Sequence, residues 1–321
     1  MAEPLPRHLL IPFAGRGSPA CRAALSTLRL PNLETLLLRL TLADTDTQDD
    51  STRSPPHERA IARALGLGTT DGCIPWAALE ARQTGAATAD DTEGWGLVTL
   101  CNWQVGIDDV VLGDPSAIEI DATESTTLLE AARPFFEEDG IALHPSPVPG
   151  RWLARARIFD GLATASIDRA VGWPISQWSP LAEAARPLRR LQNEMQMLLY
   201  TQRVNDDRAA RGVPPINSFW LSGTGALKAP PAATALVPEV SDALRVASLR
   251  DDGAGWAAAW QALDAGPVAS LLSDYTRGAD VALTLCGDRA AQRYTVQQRG
   301  LARWAKSLFD RTRAPSVLEA L

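Results

Sequence analysis

The sequence predicts an α/β fold. Three observations carry that prediction. Short apolar runs of strand length recur at 8–13, 216–221 and 281–285. Between them lie helical periodicities, clearest over 186–204, where Leu188, Leu191, Met195, Leu198 and Leu199 share a face. The two patterns interleave along the whole 321-residue chain instead of separating into blocks.

Taken in order, residues 8–13 read as a buried strand that ends in a turn at Gly15 and Gly17. Pro31 then opens a helix through Leu33, Leu36, Leu37 and Leu40. Proline suits the first helical position because its missing N–H would find no partner there. Residues 44–56 are polar and proline-containing, and are predicted to be an exposed loop. A helix over 57–65 is stopped by Gly66 and Gly68. A second loop is expected at 83–94, and 95–105 alternates as a strand does. Asp121 and Glu124 have the spacing of a capping box and open a helix through Leu128, Leu129 and Ala132. Pro134 kinks that helix or restarts it. Strands are expected at 141–143 and 152–158. The strand at 216–221 runs into a turn at Ser222-Gly223-Thr224-Gly225, then an Ala- and Pro-rich loop at 226–238. A last helix is expected at 301–309.

The composition is 45% hydrophobic and 21% charged, enough to bury a core without disulfides. The net charge of −7 argues against nucleic-acid binding, which calls for a basic field. Arg186, Arg189 and Arg190 remain a local basic group able to hold a phosphate. Cys21, Cys73, Cys101 and Cys286 are far apart and form no CxxC pair, so free thiols in a reducing, cytoplasmic setting are expected. Neither a signal peptide nor a membrane span is expected. Ten Trp against three Tyr serve cores and pockets equally well.

The most specific stretch runs from Arg203 to Gly225. It carries Asn205, Arg208, Gly212, Asn217, Trp220, Gly223 and Gly225 in that order. It resembles the archaeal-type cofactor-independent phosphoglycerate mutases of the alkaline-phosphatase-like superfamily. Their stretch reads V-N, an Arg, a Gly, A-N-x-x-W and G-x-G. Leu30-Pro31-Asn32-Leu33-Glu34 resembles that family's T-P-N-L-D. Ser54 followed by His57-Glu58-Arg59-Ala60 resembles the segment carrying its nucleophilic Ser. Gly72-Cys73-Ile74-Pro75-Trp76, with Glu80-Ala81, resembles its G-R-G-x-x-E-A, and Leu100-Cys101-Asn102-Trp103 its R-C-N-F. Residues 186–225 also resemble the RpfE-type regulatory proteins of proteobacteria, the nearer of the two likenesses.

The resemblance implies a mostly parallel, alkaline-phosphatase-like sheet flanked by helices. The core would be 1–94 and 186–321, with a smaller inserted α+β domain at 95–185. It also implies phosphoryl transfer by two divalent cations, which clamp the attacking and leaving oxygens. The residues depart from that chemistry. The first strand ends Ile11-Pro12-Phe13-Ala14-Gly15, where the family has an Asp. The late strand ends Leu285-Cys286-Gly287-Asp288-Arg289, which sets a cation beside the surviving carboxylate. The histidines are His8, His57 and His144, so the family's late imidazoles are missing. Neither a metal set nor a cofactor is expected. Asp108-Asp109-Val110-Val111-Leu112-Gly113 stands where the mutases grip phosphate with D-x-R-A-G-R.

Ser54 holds the nucleophile's place, with His57 as its candidate base; equally, Ser54 is a loop or capping serine in a proline-rich turn. The candidate ligand-binding residues are Asn102, Trp103, Asn205, Arg208, Asn217, Trp220, Gly223, Gly225 and Arg151. Glycines at 223 and 225 let backbone amides turn toward an anion, or simply make a tight turn. Three readings follow. The first is a non-catalytic regulatory protein that binds a small phosphorylated or anionic metabolite, or a protein partner. The second is an active metal-dependent phosphomutase or phosphatase with a rearranged site and Ser54 as nucleophile. The third is a structural subunit.

Overall fold

A computed structural model describes residues 6–180, 183–231, 236–296 and 314–321. The chain divides into two compact units. The first comprises 1–51, 55–66 and 232–321, and the second 52–54 and 67–231. The strands are β1 Arg7–Ile11, β2 Thr41–Thr47, β3 Trp95–Cys101, β4 Trp103–Val105, β5 Val110–Leu112 and β6 Ala142–Pro145, followed by β7 Arg151–Arg155, β8 Ser218–Gly225, β9 Glu239–Val240, β10 Val281–Cys286 and β11 Ala290–Thr295. The helices begin with α1 Pro19–Leu25, α2 Pro31–Arg39, α3 Pro56–Ala64, α4 Trp76–Thr84, α5 Ala122–Glu138, α6 Ile167–Ala170 and α7 Ile175–Trp178. They continue with α8 Arg186–Tyr200, α9 Arg203–Ala210, α10 Arg245–Leu249, α11 Gly253–Leu263, α12 Ala269–Thr276 and α13 Ala314–Glu319.

The first unit is built on a sheet of order β2-β11-β10-β1-β9. β1 pairs in parallel with β10 and β9, while β11 is antiparallel to both β10 and β2. Four of the five strands therefore run one way, as a mostly parallel α/β sheet does. β10 is buried at every position, the continuous apolar run expected of a strand covered on both faces. Leu9, Ile11, Leu283 and Leu285 meet Leu33 and Leu36 of α2, Trp256 and Trp260 of α11 and Leu271 of α12 on one face. Leu10, Cys286 and Ala291 meet α3 on the other.

The Pro31-Asn32 element proves to be a joint. Leu30, which precedes α2, provides no side-chain cap. Asp264, from the π-turn Asp264–Val268 between α11 and α12, supplies it instead. Its carboxylate accepts from the Leu33 amide at 2.8 Å and the Asn32 amide at 3.2 Å. The Asn32 side chain donates back to the Asp264 carbonyl at 3.1 Å. A carboxylate at a helix N-terminus satisfies orphan amides and complements the helix dipole.

Part of the loop expected at 44–56 is strand β2. The sequence misleads here because β2 is an edge strand with an exposed polar face, and charges there deter pairing with other chains. The helix expected at 301–309 lies outside the described residues.

The second unit holds an antiparallel sheet, β6-β7-β3-β8, and the separate hairpin β4-β5. Val98, Leu100, Trp152 and Phe219 form a core with Leu128 and Phe136 of α5 and Leu191 and Met195 of α8. The capping box forms: the Glu124 amide donates to Asp121 at 2.8 Å, and the Asp121 amide donates to Glu124 at 3.3 Å. Pro134 sits within α5 without ending it. The helix expected over 186–204 stops at Tyr200, and α9 follows. β8 extends to Gly225, so the expected turn at 222–225 is strand, with a register shift opposite Trp95 and Leu97.

The second unit is also longer than the insertion expected at 95–185. β8 is the partner of β3, and α8 packs in the core that they share, so 186–231 belongs with it. Periodicity identifies a strand but not the sheet that it joins.

Candidate active-site edge and the motif residues

In an open α/β sheet, ligands bind beyond the carboxyl ends of the parallel strands. In the first unit that edge is formed by β1 and β10. Just past β1, Phe13 takes a left-handed conformation with φ of 56°. Two indoles, one helical turn apart on α11, hold the turn: Trp256 donates to the Phe13 carbonyl at 3.0 Å and Trp260 to the Ala14 carbonyl at 3.1 Å. The Ala14 amide reaches the Cys286 carbonyl at 2.7 Å, tying the ends of the two strands together.

The charged groups of this edge are paired. Asp288 accepts from Arg16 through one oxygen and from the Gly17 amide, at 2.7 Å, through the other. Arg16 also donates to the Ser248 carbonyl and lies over the Phe13 ring, 5.8 Å from its centroid. His57, at the start of α3, stacks on Phe13 at 5.1 Å. Arg289 forms a two-bond pair with Asp50 at 2.7 and 2.5 Å. Deeper in, Asp46 bonds Arg59 at 2.7 Å and Arg63 at 2.8 Å. Burial works to raise the Asp46 carboxyl, but the two guanidinium groups outweigh it and hold it below the usual carboxylate range. Burial pushes the Cys286 thiol far up, which keeps it protonated.

Residues 314–321 close over the same edge. The Leu321 carbonyl accepts from the amides of Arg289 and Ala290 at 3.0 and 2.8 Å. A side chain on Gly15 would place its Cβ 2.1 Å from the Leu318 carbonyl oxygen, and one on Gly287 would meet Leu321 at 2.4 Å. Those two glycines are where backbone meets backbone at the seal.

The divalent cations implied by the sequence resemblance do not fit these donors. Both oxygens of Asp288 are engaged, and Phe13 and Ala14 stand where a carboxylate would be needed. Among the described residues, no three His, Cys, Asp or Glu side chains cluster in a way that could hold a metal ion.

The remaining sequence candidates lie in the second unit, apart from His57, which belongs to the first. Ser54 is only 2% exposed, accepts from the Gly72 amide at 2.8 Å, and has its own amide held by Asp71 at 2.8 Å. Asn217 and Trp103 are brought together. The Trp103 amide donates to the Asn217 side chain at 2.6 Å, and that side chain returns a bond to the Trp103 carbonyl at 2.8 Å. Asn102 donates to the Pro215 carbonyl at 2.8 Å. Asn205 ties the Leu199 and Ile216 carbonyls at 2.8 and 2.7 Å and accepts from the Ile216 amide at 2.8 Å. Arg208 is 1% exposed and spends its guanidinium on Glu124 and on the Pro214 and Ile118 carbonyls. Trp220 donates to the Ala165 carbonyl at 3.0 Å, and Arg151 pairs with Glu80 at 2.6 Å. Gly223 and Gly225 lie within β8, close against Trp76 and the Cys73 carbonyl respectively. Most polar side-chain groups of these candidates are thus turned on the chain itself, while the buried indole N–H of Trp103 finds no partner among the described residues. A cleft lined by Leu188, Arg189, Gln192, Phe219 and Trp220 has about 10 Å³ of room, enough for about one water.

Sequence reasoning missed Trp256, Trp260, Arg16 and the Leu318–Leu321 seal. The Trp pair at i and i+4 on one helix was the available signal, since it demands two acceptors on one face. Among the described residues, no helix is long and apolar enough to cross a membrane.

No protein-family model matches the chain, and no curated protein matches its sequence. Solved structures do match. A cofactor-independent phosphoglycerate mutase from Thermoplasma acidophilum DSM 1728 is 14% identical, with a TM-score of 0.38, over 97% of this chain and 94% of that one. A protein from Pyrococcus horikoshii is 14% identical, with a TM-score of 0.44, over 90% of this chain and 87% of that one.

Proposed function

We propose that the protein is a non-catalytic, phosphoglycerate-mutase-like chain with a regulatory, partner-binding role. The observation that carries this reading is the state of Asp288. The one carboxylate retained at the end of β10 is neutralised by Arg16 and the Gly17 amide. Two-metal phosphoryl transfer needs unpaired carboxylates and imidazoles converging on an open position. The burial of Ser54 and the engagement of its hydroxyl by Gly72 speak against a nucleophile there. The regulatory part of the proposal rests on the sequence resemblance of 186–225 to RpfE-type proteins alone.

A protein partner suits the molecule better than a phosphorylated metabolite. The motif arginines are engaged by carboxylates and carbonyls, and the cleft beside Trp220 is too small for a metabolite.

The test is direct. Purified protein is dialysed against Mn²⁺ and Zn²⁺ and its metal content measured. It is then assayed with 3-phosphoglycerate and with a generic phosphate ester. Substoichiometric metal and no turnover above background are expected. Two bound ions per chain, or turnover that Ser54→Ala abolishes, would sink the reading. A thermal-shift screen of phosphorylated metabolites is expected to show no stabilisation, and a reproducible upward shift would replace the partner with a small ligand.

A further inference from the structure

Residues 314–321 meet the rest of the first unit along one stripe. Ala314, Leu318 and Leu321 are buried, Val317 packs against the same core, and Ser316, Glu319 and Ala320 are exposed. The stripe falls at i, i+3, i+4 and i+7, the spacing of one helical face. An amphipathic helix that is a separate ligand seats in a groove by the same four positions.

The groove is made by elements that hold themselves. α13 packs on α1 and α2, and its end reaches the turns that follow β1 and β10. The turn after β1 is fixed by Trp256, by Trp260 and by the Ala14 amide on the Cys286 carbonyl. α2 is capped by Asp264. None of these bonds involves residues 314–321. Gly15 and Gly287 stand where Leu318 and Leu321 come nearest, and a glycine is what lets a second backbone approach so closely.

The segment depends on the groove more than the groove depends on it. α13 is six residues long, too short to hold a helix alone in water. Among the described residues, its polar bonds to the rest of the unit lie at its two ends. The Ala314 amide donates to Glu34 at 3.3 Å, and the Leu321 carbonyl accepts from the amides of Arg289 and Ala290 at 3.0 and 2.8 Å. The groove therefore asks for an apolar helical face, an amide at one end and a carbonyl oxygen at the other. A peptide supplies all three, and an inorganic anion or a small metabolite does not.

We propose that this groove is the docking site for an amphipathic helix of a partner protein, and that residues 314–321 are its occupant in cis, a strap that the partner displaces. The partner's segment carries apolar residues at i, i+3, i+4 and i+7, with leucine at the last two, and a polar opposite face. The inference rests on the partner-binding part of the reading above and names that partner's chemistry. Metal uptake or turnover would sink the non-catalytic part and leave the groove standing.

A fluorescein-labelled peptide of residues 314–321, read by anisotropy against the full chain, tests it. Leu318→Asp with Leu321→Asp in the protein weakens the strap. That variant is expected to bind the peptide at least about tenfold more tightly than the parent, because its groove is free more of the time. Adding Gly287→Ala, whose Cβ would fall 2.4 Å from the Leu321 Cβ, is expected to abolish the binding. Equal binding by parent and variant overturns the proposal, as does binding indifferent to Gly287→Ala. A variant that still melts cooperatively yet binds no peptide overturns it too. The parent gives a second measurement that needs no variant. The Arg289 and Ala290 amides should exchange faster than those of Leu283 and Leu285 in β10, through detachment of the strap alone. Equal protection would show that the strap leaves only when the whole unit unfolds, which overturns the proposal whatever the variants do. Sedimentation of the parent is expected to give 34.4 kDa at every concentration. A doubling that Leu318→Asp with Leu321→Asp abolishes would make the occupant the strap of a second copy, and the partner helix would be struck.

Discussion

At the end of β1, the polar groups of the first unit pair charge with charge near the surface. Arg16 and Asp288 are 21% and 29% exposed at their side chains, and Arg289 and Asp50 are each 63% exposed. Around β8, in the second unit, polar side chains instead reach backbone groups, Arg208 fully buried and Asn205 and Asn217 half-buried. Asn205 spans three backbone positions, Arg208 two and Asn217 two. Exposed ion pairs add little to stability, whereas a buried group that holds backbone carbonyls cannot be removed without stranding them. The comparison assigns different work to the two regions. The residues that look most like a functional motif hold the second unit together. The residues that look unremarkable at the β1 edge pair the carboxylate of Asp288.

Arg208 marks the largest expected difference between the regions. Arg208→Ala leaves the Ile118 and Pro214 carbonyls without this donor, while Glu124 keeps Arg211 and the Asp121 amide. Loss of one partner of a buried pair costs about 3–5 kcal/mol, and the retained bonds to Glu124 set the expected cost at the low end, which urea denaturation would show as a lower midpoint. Arg289→Ala, its counterpart at the first unit's edge, is expected to leave the midpoint unchanged. Equal effects from the two substitutions would erase the distinction drawn between the regions.

The first unit has buried polar groups of its own, among them the Asp46–Arg59 pair and His8. His8 on β1 is 4% exposed and shares a 2.8 Å hydrogen bond with Thr284 on β10. Burial, aided by the positive charge of Arg293, lowers its pKa from 6.5 to about 4. The unfolded chain therefore takes up a proton near pH 6.5 and the folded chain only near pH 4. The stability from this group is complete above pH 6.5 and is lost as pH falls toward 4. The shift corresponds to about 3 kcal/mol at most. His8→Gln, which can keep a bond to Thr284, should flatten the stability profile between those limits. An unchanged profile would place the acid sensitivity elsewhere.

How much of this was legible in the sequence differs between the regions for a physical reason. Local rules were readable: the Asp121-Glu124 capping box, the proline start of α2 and the apolar run of β10 each depend on neighbours in sequence. Edge strand β2 was not readable, because its exposed face is as polar as a loop. The sheet to which β8 belongs was not readable either, because a period of two does not name a partner strand. At the β1 edge the loss of the carboxylate could be read directly. The seal by Leu318 and Leu321 could not, since its contact with Gly15 joins the two ends of the described chain. The motif from Asn205 to Gly225 was legible as specific but not as structural. Asn and Arg look alike in sequence whether they bind a ligand or a carbonyl.

The seal gives the next prediction. Gly15→Ala drives a methyl to within 2.1 Å of the Leu318 carbonyl oxygen, which is backbone and cannot rotate away. Overpacking of this kind costs about 1–3 kcal/mol. If the cost comes from displacing 314–321, pairing the change with Leu321→Ala should cost less than the sum of the two single changes. Strict additivity would mean that Gly15 matters for another reason, and the edge would lose its sealed character.

The smallest effect returns to the motif. The Asn217 side chain takes the place of a strand partner along β4: its oxygen accepts the Trp103 amide and its amide nitrogen donates to the Trp103 carbonyl. Asn217→Ala removes both bonds and is expected to cost about 1–2 kcal/mol, with the half-buried site letting water recover part of the loss. Asn217→Asp separates a positioning role from a merely polar one. The carboxylate still accepts from the Trp103 amide but faces the Trp103 carbonyl with an acceptor. It should therefore destabilise at least as much as alanine at neutral pH and recover in acid, once protonated. The hairpin beyond Trp103 should report the same order in amide exchange, with the Val105 and Val110 amides protected least in the aspartate variant. Equal protection in all three chains would show that the hairpin is held by Val171 and Pro174 alone.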